Sequence, residues 1–192
     1  MAKFRLTCRG TEPLLMHNSR LANPLDEVAK LMKRITAKRK KTEDDYEELA
    51  RLEHWGGLYF DADLGPYIPG QNFERCLLDA ARITRAGKKV ERGVFVSSNV
   101  NPISYQGPRG IDGLWADQNF RHMSSVKVGT NRVMRTRPMF RQWEVYCEGE
   151  YDGDVINLDE LQEIAGTAGR MIGLGDWRPR FGRFTATLDK VS

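Results

Sequence analysis

The chain is expected to fold as an α+β protein, and three features of its sequence predict this. The first segment alternates apolar and polar residues with the period of a half-buried strand. The middle carries apolar residues at helical spacing behind recognisable caps, and the end runs strand, helix, glycine-rich loop, strand. With 192 residues, 40% hydrophobic and 29% charged, the chain has an ordinary globular composition and enough length for a real core. That suggests neither disorder nor a membrane protein and makes one domain over 1–192 the expectation.

Taken in order, Phe4-Arg5-Leu6-Thr7-Cys8 is the alternating strand, and Gly10-Thr11-Glu12-Pro13 is a turn that leads into Leu14-Leu15-Met16-His17-Asn18. From Leu25 the apolar positions Val28, Leu31, Met32 and Ile35 recur every third or fourth residue, so a helix begins after Asn23-Pro24. Its basic face runs into Lys38-Arg39-Lys40-Lys41. The sign then reverses at Glu43-Asp44-Asp45, where Thr42 caps a second helix that Gly56-Gly57 ends. Residues 25–55 therefore read as an inserted helical hairpin. Its basic and acidic faces either neutralise each other or form an element that binds a partner.

Tyr67-Ile68-Pro69-Gly70 introduces a helix with Phe73, Leu77, Ala80, Ala81 and Ile83 on its apolar side, ended by Gly87. Val94-Phe95-Val96 reads as a short buried strand, and 99–120, with Pro102, Gly107, Pro108, Gly110 and Gly113, as a long loop. A strand over Trp143–Cys147 precedes a helix capped by Asn157, with Glu160 placed to bond back. Leu161, Ile164, Ala165, Ala168, Met171 and Ile172 form the core stripe of this helix, which stops at Gly173. Phe184, Ala186 and Leu188 mark the last strand.

The net charge of +4 is compatible with a polyanionic partner without demanding one, so its distribution decides more than its total. Between Gln118 and Trp143 there is no acidic residue, while Arg121, Lys127, Arg132, Arg135, Arg137 and Arg141 accumulate. On a strand Arg135 and Arg137 share one face and would form a ridge of guanidinium groups suited to phosphates. Scattered surface arginines are the competing reading. A second cluster combines Gly173, Gly175 and Gly182 with Trp177, Arg178, Arg180, Phe181 and Arg183. Glycines let backbone N–H groups approach an anion and permit positive φ, and the two rings offer stacking surfaces. A purely structural turn, with the rings in the core, is the alternative. The loop follows a helix and precedes a strand, which excludes a dinucleotide-binding fingerprint.

Cys8, Cys76 and Cys147 are far apart and form no CxxC pair, so buried thiols are expected rather than disulfides or a zinc site. Asp61, Asp63, Asp112 and Asp117 lack a ligand rhythm and read as turn residues; neither a metal nor a cofactor is expected. No run approaches the roughly 18 apolar residues of a spanning helix, and the start lacks a signal-peptide core, so no membrane association and a cytoplasmic location are expected.

The run Ile172-Gly173-Leu174-Gly175 through Phe181-Gly182-Arg183-Phe184, just before the last strand, resembles the glycine- and arginine-rich loop of the RAMP superfamily. Leu14-Leu15-Met16-His17 after the first strand and Tyr67-Ile68-Pro69-Gly70-Gln71-Asn72-Phe73 before a helix are two further, shorter matches. The resemblance implies a ferredoxin-like (RRM-type) antiparallel sheet with helices on one face, as in the backbone and processing subunits of CRISPR effector complexes. The chain's size is similar to a stand-alone phage or prophage relative, which would place it in the host cytoplasm. The expected activity is non-catalytic binding of single-stranded nucleic acid, RNA or DNA, as a homo-oligomer or filament. Lys127, Arg132, Arg135, Arg137, Arg141, Arg178, Arg180 and Arg183 would meet phosphates, Gly173, Gly175 and Gly182 would shape the loop, and bases would stack on Trp177 or on an aromatic of the Tyr105–Trp115 loop. Three alternatives stand beside it. One is a metal-independent endoribonuclease using His17 with Arg20, since processing members use a histidine near the first strand. Another is a protein that sequesters a small nucleotide, and the last is a scaffold.

Overall fold

The structure, a computed structural model, describes residues 1–191. In chain order it contains β1 (Ala2–Gly10), β2 (Leu14–Leu15), α1 (Glu27–Thr36), α2 (Glu43–Gly57), β3 (Phe60–Asp61), β4 (Gly65–Pro69), α3 (Gly70–Ile83) and α4 (Gly87–Gly93). There follow β5 (Val94–Val96), β6 (Val100–Pro102), α5 (Ile111–Ala116), β7 (Arg121–Val128), β8 (Asn131–Phe140), β9 (Glu144–Tyr151), α6 (Leu158–Thr167) and β10 (Phe184–Val191). The chain is α+β with antiparallel sheets. By its contacts the chain divides into two compact units, Met1–Leu14 with Phe60–Gln106 and Arg141–Ser192, and Leu15–Tyr59 with Gly107–Phe140.

The first unit holds a sheet of order β10-β1-β9-β5, antiparallel throughout. Counting only its own strands and the helices α3 and α6, the chain runs β-α-β-β-α-β with strand order 4-1-3-2, the ferredoxin-like arrangement. Alternation along β1 sends Phe4, Leu6 and Cys8 inward, where Val145, Cys147, Tyr151, Phe184 and Leu188 join them in the core. Gly149 is small because a Cβ there would lie 2.4 Å from the Phe4 ring. Helix α3 buries Phe73, Cys76, Leu77, Ala80 and Ala81, and α6 buries Leu161, Ile164 and Ala165. The free edge of β10 is closed by a side chain. Gln162 of α6 donates to the Ala186 carbonyl at 3.2 Å and accepts from the Leu188 N–H at 2.7 Å. The three cysteines are all buried and unpaired, as expected; burial raises the thiol pKa of each, that of Cys76 to about 12.

In the second unit α1 and α2 pair as the predicted helical hairpin. Thr42 and Asp45 form a capping box, and the basic block meets the acidic one through Lys38 and Asp45 at 2.5 Å. These helices accompany a sheet of order β2-β8-β7. No helix is long and apolar enough to cross a membrane among the described residues.

Several local expectations are corrected. Helix α1 starts after Asn23-Pro24 as expected, but behind Asp26, whose carboxylate accepts from Val28 N–H at 2.9 Å, so Leu25 lies outside it. Gly87 opens α4 instead of ending α3, and Ile83 is exposed. Phe95 is 55% exposed, because β5 is an edge strand with only one face against the core. The stretch 99–120 is not a bare loop. It carries β6, pinned by buried Asn101 donating to the Ile68 carbonyl at 2.9 Å, and α5. Asn157 caps α6, but the Glu160 carboxylate turns outward to accept from Lys89 at 2.9 Å rather than bonding back. Asp61 is a turn residue as expected, accepting from the Asp63 and Leu64 N–H groups at 3.0 Å.

Candidate nucleic-acid interface

The acid-free stretch forms an antiparallel hairpin of β7 and β8, joined through Gly129 at φ 61°. Its register sorts the predicted cations onto two faces. Arg135 lies opposite Ser124 and Arg137 opposite His122 on one face, while Arg132 lies opposite Lys127 and Met134 opposite Ser125 on the other. On that second face Lys127, Arg132, Met123 and Met134 are all exposed, the two methionines at 55% and 56%. Among the described residues no carboxylate bonds to Lys127 or Arg132. Arg141 leaves the hairpin altogether and belongs to the first unit.

The Arg135 and Arg137 face borders a cleft of about 460 Å³ lined also by His17, Glu53, Lys127 and Thr136. Glu53 of α2 is buried at 4% exposure, so its charge requires partners. One carboxylate oxygen accepts from the Arg135 guanidinium, and the other accepts from the Thr136 backbone N–H at 2.8 Å. Arg135 is thus an anchor that fastens the hairpin to α2. Glu53 is the one carboxylate in the cleft lining, beside Lys127, Arg135 and Arg137. His17 is exposed at its wall, whereas Arg20, its expected cationic companion, bonds the capping carboxylate of Asp26 at 2.9 Å.

The C-terminal loop, in the first unit, uses its glycines for itself. Gly173, Gly175 and Gly182 take φ of 82°, 79° and 74°, and a Cβ on Gly182 would lie 1.8 Å from the Leu174 carbonyl oxygen. The loop closes on its own backbone, with Leu174 N–H donating to Gly182 at 2.8 Å. Its arginines have neighbours within the unit. Arg178 donates to the Gly173 carbonyl at 3.4 Å, Arg183 pairs with Glu12 at 3.2 Å, and Arg180 lies 5.9 Å from the centre of the Trp177 ring. Trp177 is half-exposed and tilted against Phe181 at 5.6 Å.

The open face of the β10-β1-β9-β5 sheet, the usual base-stacking platform of RRM-type domains, is also charged. Lys3, Arg5 and Arg9 lie opposite Glu150, Glu148 and Glu144. Arg5 reaches Glu148 at 2.6 Å and covers the Tyr146 ring at 5.0 Å, and Arg9 reaches Glu144 at 2.5 Å. Glu53 carries no signal in the sequence, because a charged residue within a helix of many charges looks solvated. The paired glutamates of β9 could have been read from strand alternation, had the partner strand been known. No protein-family model matches the chain, and no curated protein matches it.

Proposed function

We propose that the protein binds single-stranded nucleic acid, RNA or DNA, through the β7–β8 hairpin and its adjoining cleft. The observation that carries the reading is the exposed hairpin face, on which Lys127 and Arg132 sit opposite each other beside Met123 and Met134, on strands that hold no acidic residue. Cations supply salt-dependent phosphate contacts, and exposed apolar side chains suit unstacked bases, which a duplex hides. The ferredoxin-like order of the first unit is the arrangement that the resemblance to RAMP-type subunits, which line up along RNA, implies. The C-terminal loop contributes Arg180 and Trp177 as a secondary contact.

The test is fluorescence polarisation with labelled single-stranded RNA and DNA of graded length, at about 50 and about 200 mM salt. Lys127→Ala/Arg132→Ala should weaken binding about tenfold or more and flatten the log–log salt dependence by about two. Absence of binding at micromolar protein, or binding indifferent to this double variant, overturns the reading.

A second reading, metal-independent RNA cleavage, is favoured by one observation: His17 lines the same cleft as Lys127, Arg135 and Arg137. An imidazole could take the 2′-hydroxyl proton while a neighbouring cation stabilises the phosphorane. Cleavage of RNA in the presence of chelator, lost in His17→Ala while binding persists, would establish it.

A further inference from the structure

The sheets of this molecule end in different ways. On the four-stranded sheet, β10 is closed by Gln162, while Glu74 of α3 accepts from the Val96 N–H of β5 at 3.1 Å and the Val90 carbonyl accepts from the Val94 N–H. Strand β7, the outer strand of the β2-β8-β7 sheet in the second unit, has no such closure. Its hairpin turns through Gly129 and Thr130, so Val128 and Asn131 exchange both backbone bonds, and every second residue back along β7 bonds β8 in the same way. The N–H and C=O groups of Met123, Ser125 and Lys127 therefore point outward. Among the described residues nothing bonds them, and all three residues are exposed.

An open edge of this length is a template for another strand, and what restrains it here is charge. Strands β7 and β8 hold cations and no acidic residue, so two such edges repel each other at low salt. Neutralisation removes that repulsion and leaves the backbone groups as they are. A second copy of β7 suits the edge, because its register and its charges agree. Two antiparallel copies centred on Ser125 set each Ser125 opposite the other, Met123 opposite Lys127, and Arg121 opposite the Gly129 turn, so all three outward residues of each strand are used. Centring on Ser124 would instead bring Arg121 against Lys127, like charge on like. In the first register both copies present Lys127, Arg132, Met123 and Met134 on the same side of the sheet.

We propose that two copies of this chain join along β7, antiparallel about a two-fold axis at Ser125, once an anionic strand lowers the charge between them. The joined strands β8-β7-β7-β8 carry one continuous cationic and apolar face, which lengthens the stretch of nucleic acid that one binding event engages. Such a symmetric pair closes at two copies and does not continue into a filament. Pairing itself follows from the open edge, whereas its control by an anionic strand rests on the single-strand reading.

Cys8, Cys76 and Cys147 are buried, so Ser125→Cys adds an accessible thiol, and across the two-fold its Cα lies about 5.5 Å from its mate, within disulfide reach. With oxidised glutathione this variant should form a covalent dimer at about 1 M salt without nucleic acid, because charges are then screened beyond about 3 Å. At about 0.1 M salt it should do so only when a single-stranded oligonucleotide is added. Ser97→Cys, exposed in the first unit, should stay monomeric in both. Sedimentation of the wild-type chain reads the same dimer without a cross-link. Ser125→Lys sets two ammonium groups face to face, so it should keep the melting temperature and the affinity for a short oligonucleotide but stay monomeric where the wild type pairs. No dimer of wild type or Ser125→Cys at either salt, equal cross-linking of Ser97→Cys, or a Ser125→Lys dimer like that of the wild type overturns the pairing. A low-salt dimer that ignores the oligonucleotide overturns its control by the strand. No oligonucleotide binding with the high-salt dimer intact overturns the single-strand reading and leaves the pairing in place.

Discussion

Two strand surfaces in this molecule are rich in arginine, and they differ in what lies opposite. On the sheet of the first unit each cation of β1 faces a glutamate of β9 in register, so the surface where RRM-type domains stack bases is neutralised by its own neighbour. On the β7–β8 hairpin the positions opposite Arg132 and Arg135 are Lys127 and Ser124, and the carboxylate that Arg135 meets is buried Glu53 of α2 rather than a cross-strand neighbour. A count of arginines cannot separate these cases. The pairing register can, because cross-strand partners decide whether charge is spent inside the protein or offered outside.

The largest test of that contrast is Glu53→Ala. Removing a buried carboxylate strands Arg135 and the Thr136 N–H, and should cost about 3 kcal/mol or more in urea unfolding. A loss under about 1 kcal/mol would place this pair with the exposed ones of the sheet and break the comparison. Next comes the pH response of the same helix. Burial lowers the folded pKa of His54, whose ring bonds the Phe120 carbonyl, to about 4 against 6.5 ordinarily, so the unfolded chain binds its proton first as the pH falls. The contribution is fully present above pH 6.5 and is lost as the pH falls through about 4, for a total of about 3 kcal/mol. His54→Gln, which can still donate to Phe120, should flatten the unfolding free energy over this window. The smallest effect belongs to the sheet. Arg5→Ala/Arg9→Ala should leave the unfolding midpoint, oligonucleotide affinity and its salt slope essentially unchanged, in contrast to the hairpin double variant. A matching loss of affinity would return the interface to the sheet.

Much of the local structure is legible in the sequence, for reasons that are themselves local. Thr42 and Asn157 announce helix starts because their short side chains bond the next turn, and the alternation of Phe4, Leu6 and Cys8 gives the inward face of β1. Register between distant strands is not written in either partner alone, so the glutamates that neutralise Arg5 and Arg9 are invisible until β1 and β9 meet. The candidate site divides along the same line. Arg135, Arg137, Lys127 and His17 are legible as polar residues near strands and do line one cleft. Glu53 and His54 are hidden inside a helix whose composition looks solvated. The glycines of the C-terminal loop carry an ambiguous signal, since positive φ serves close backbone approach as readily as anion binding, and at Gly182 the structure uses it for the former.

Gln162 has a consequence for assembly. By bonding both Ala186 and Leu188 it acts as a one-residue surrogate strand along the outer side of β10. A second copy, or any extended peptide, would have to displace that amide before the sheet could grow on that side. Pairing at this edge would cost two hydrogen bonds before it gained any, so β10 is guarded against growth of the sheet on its outer side.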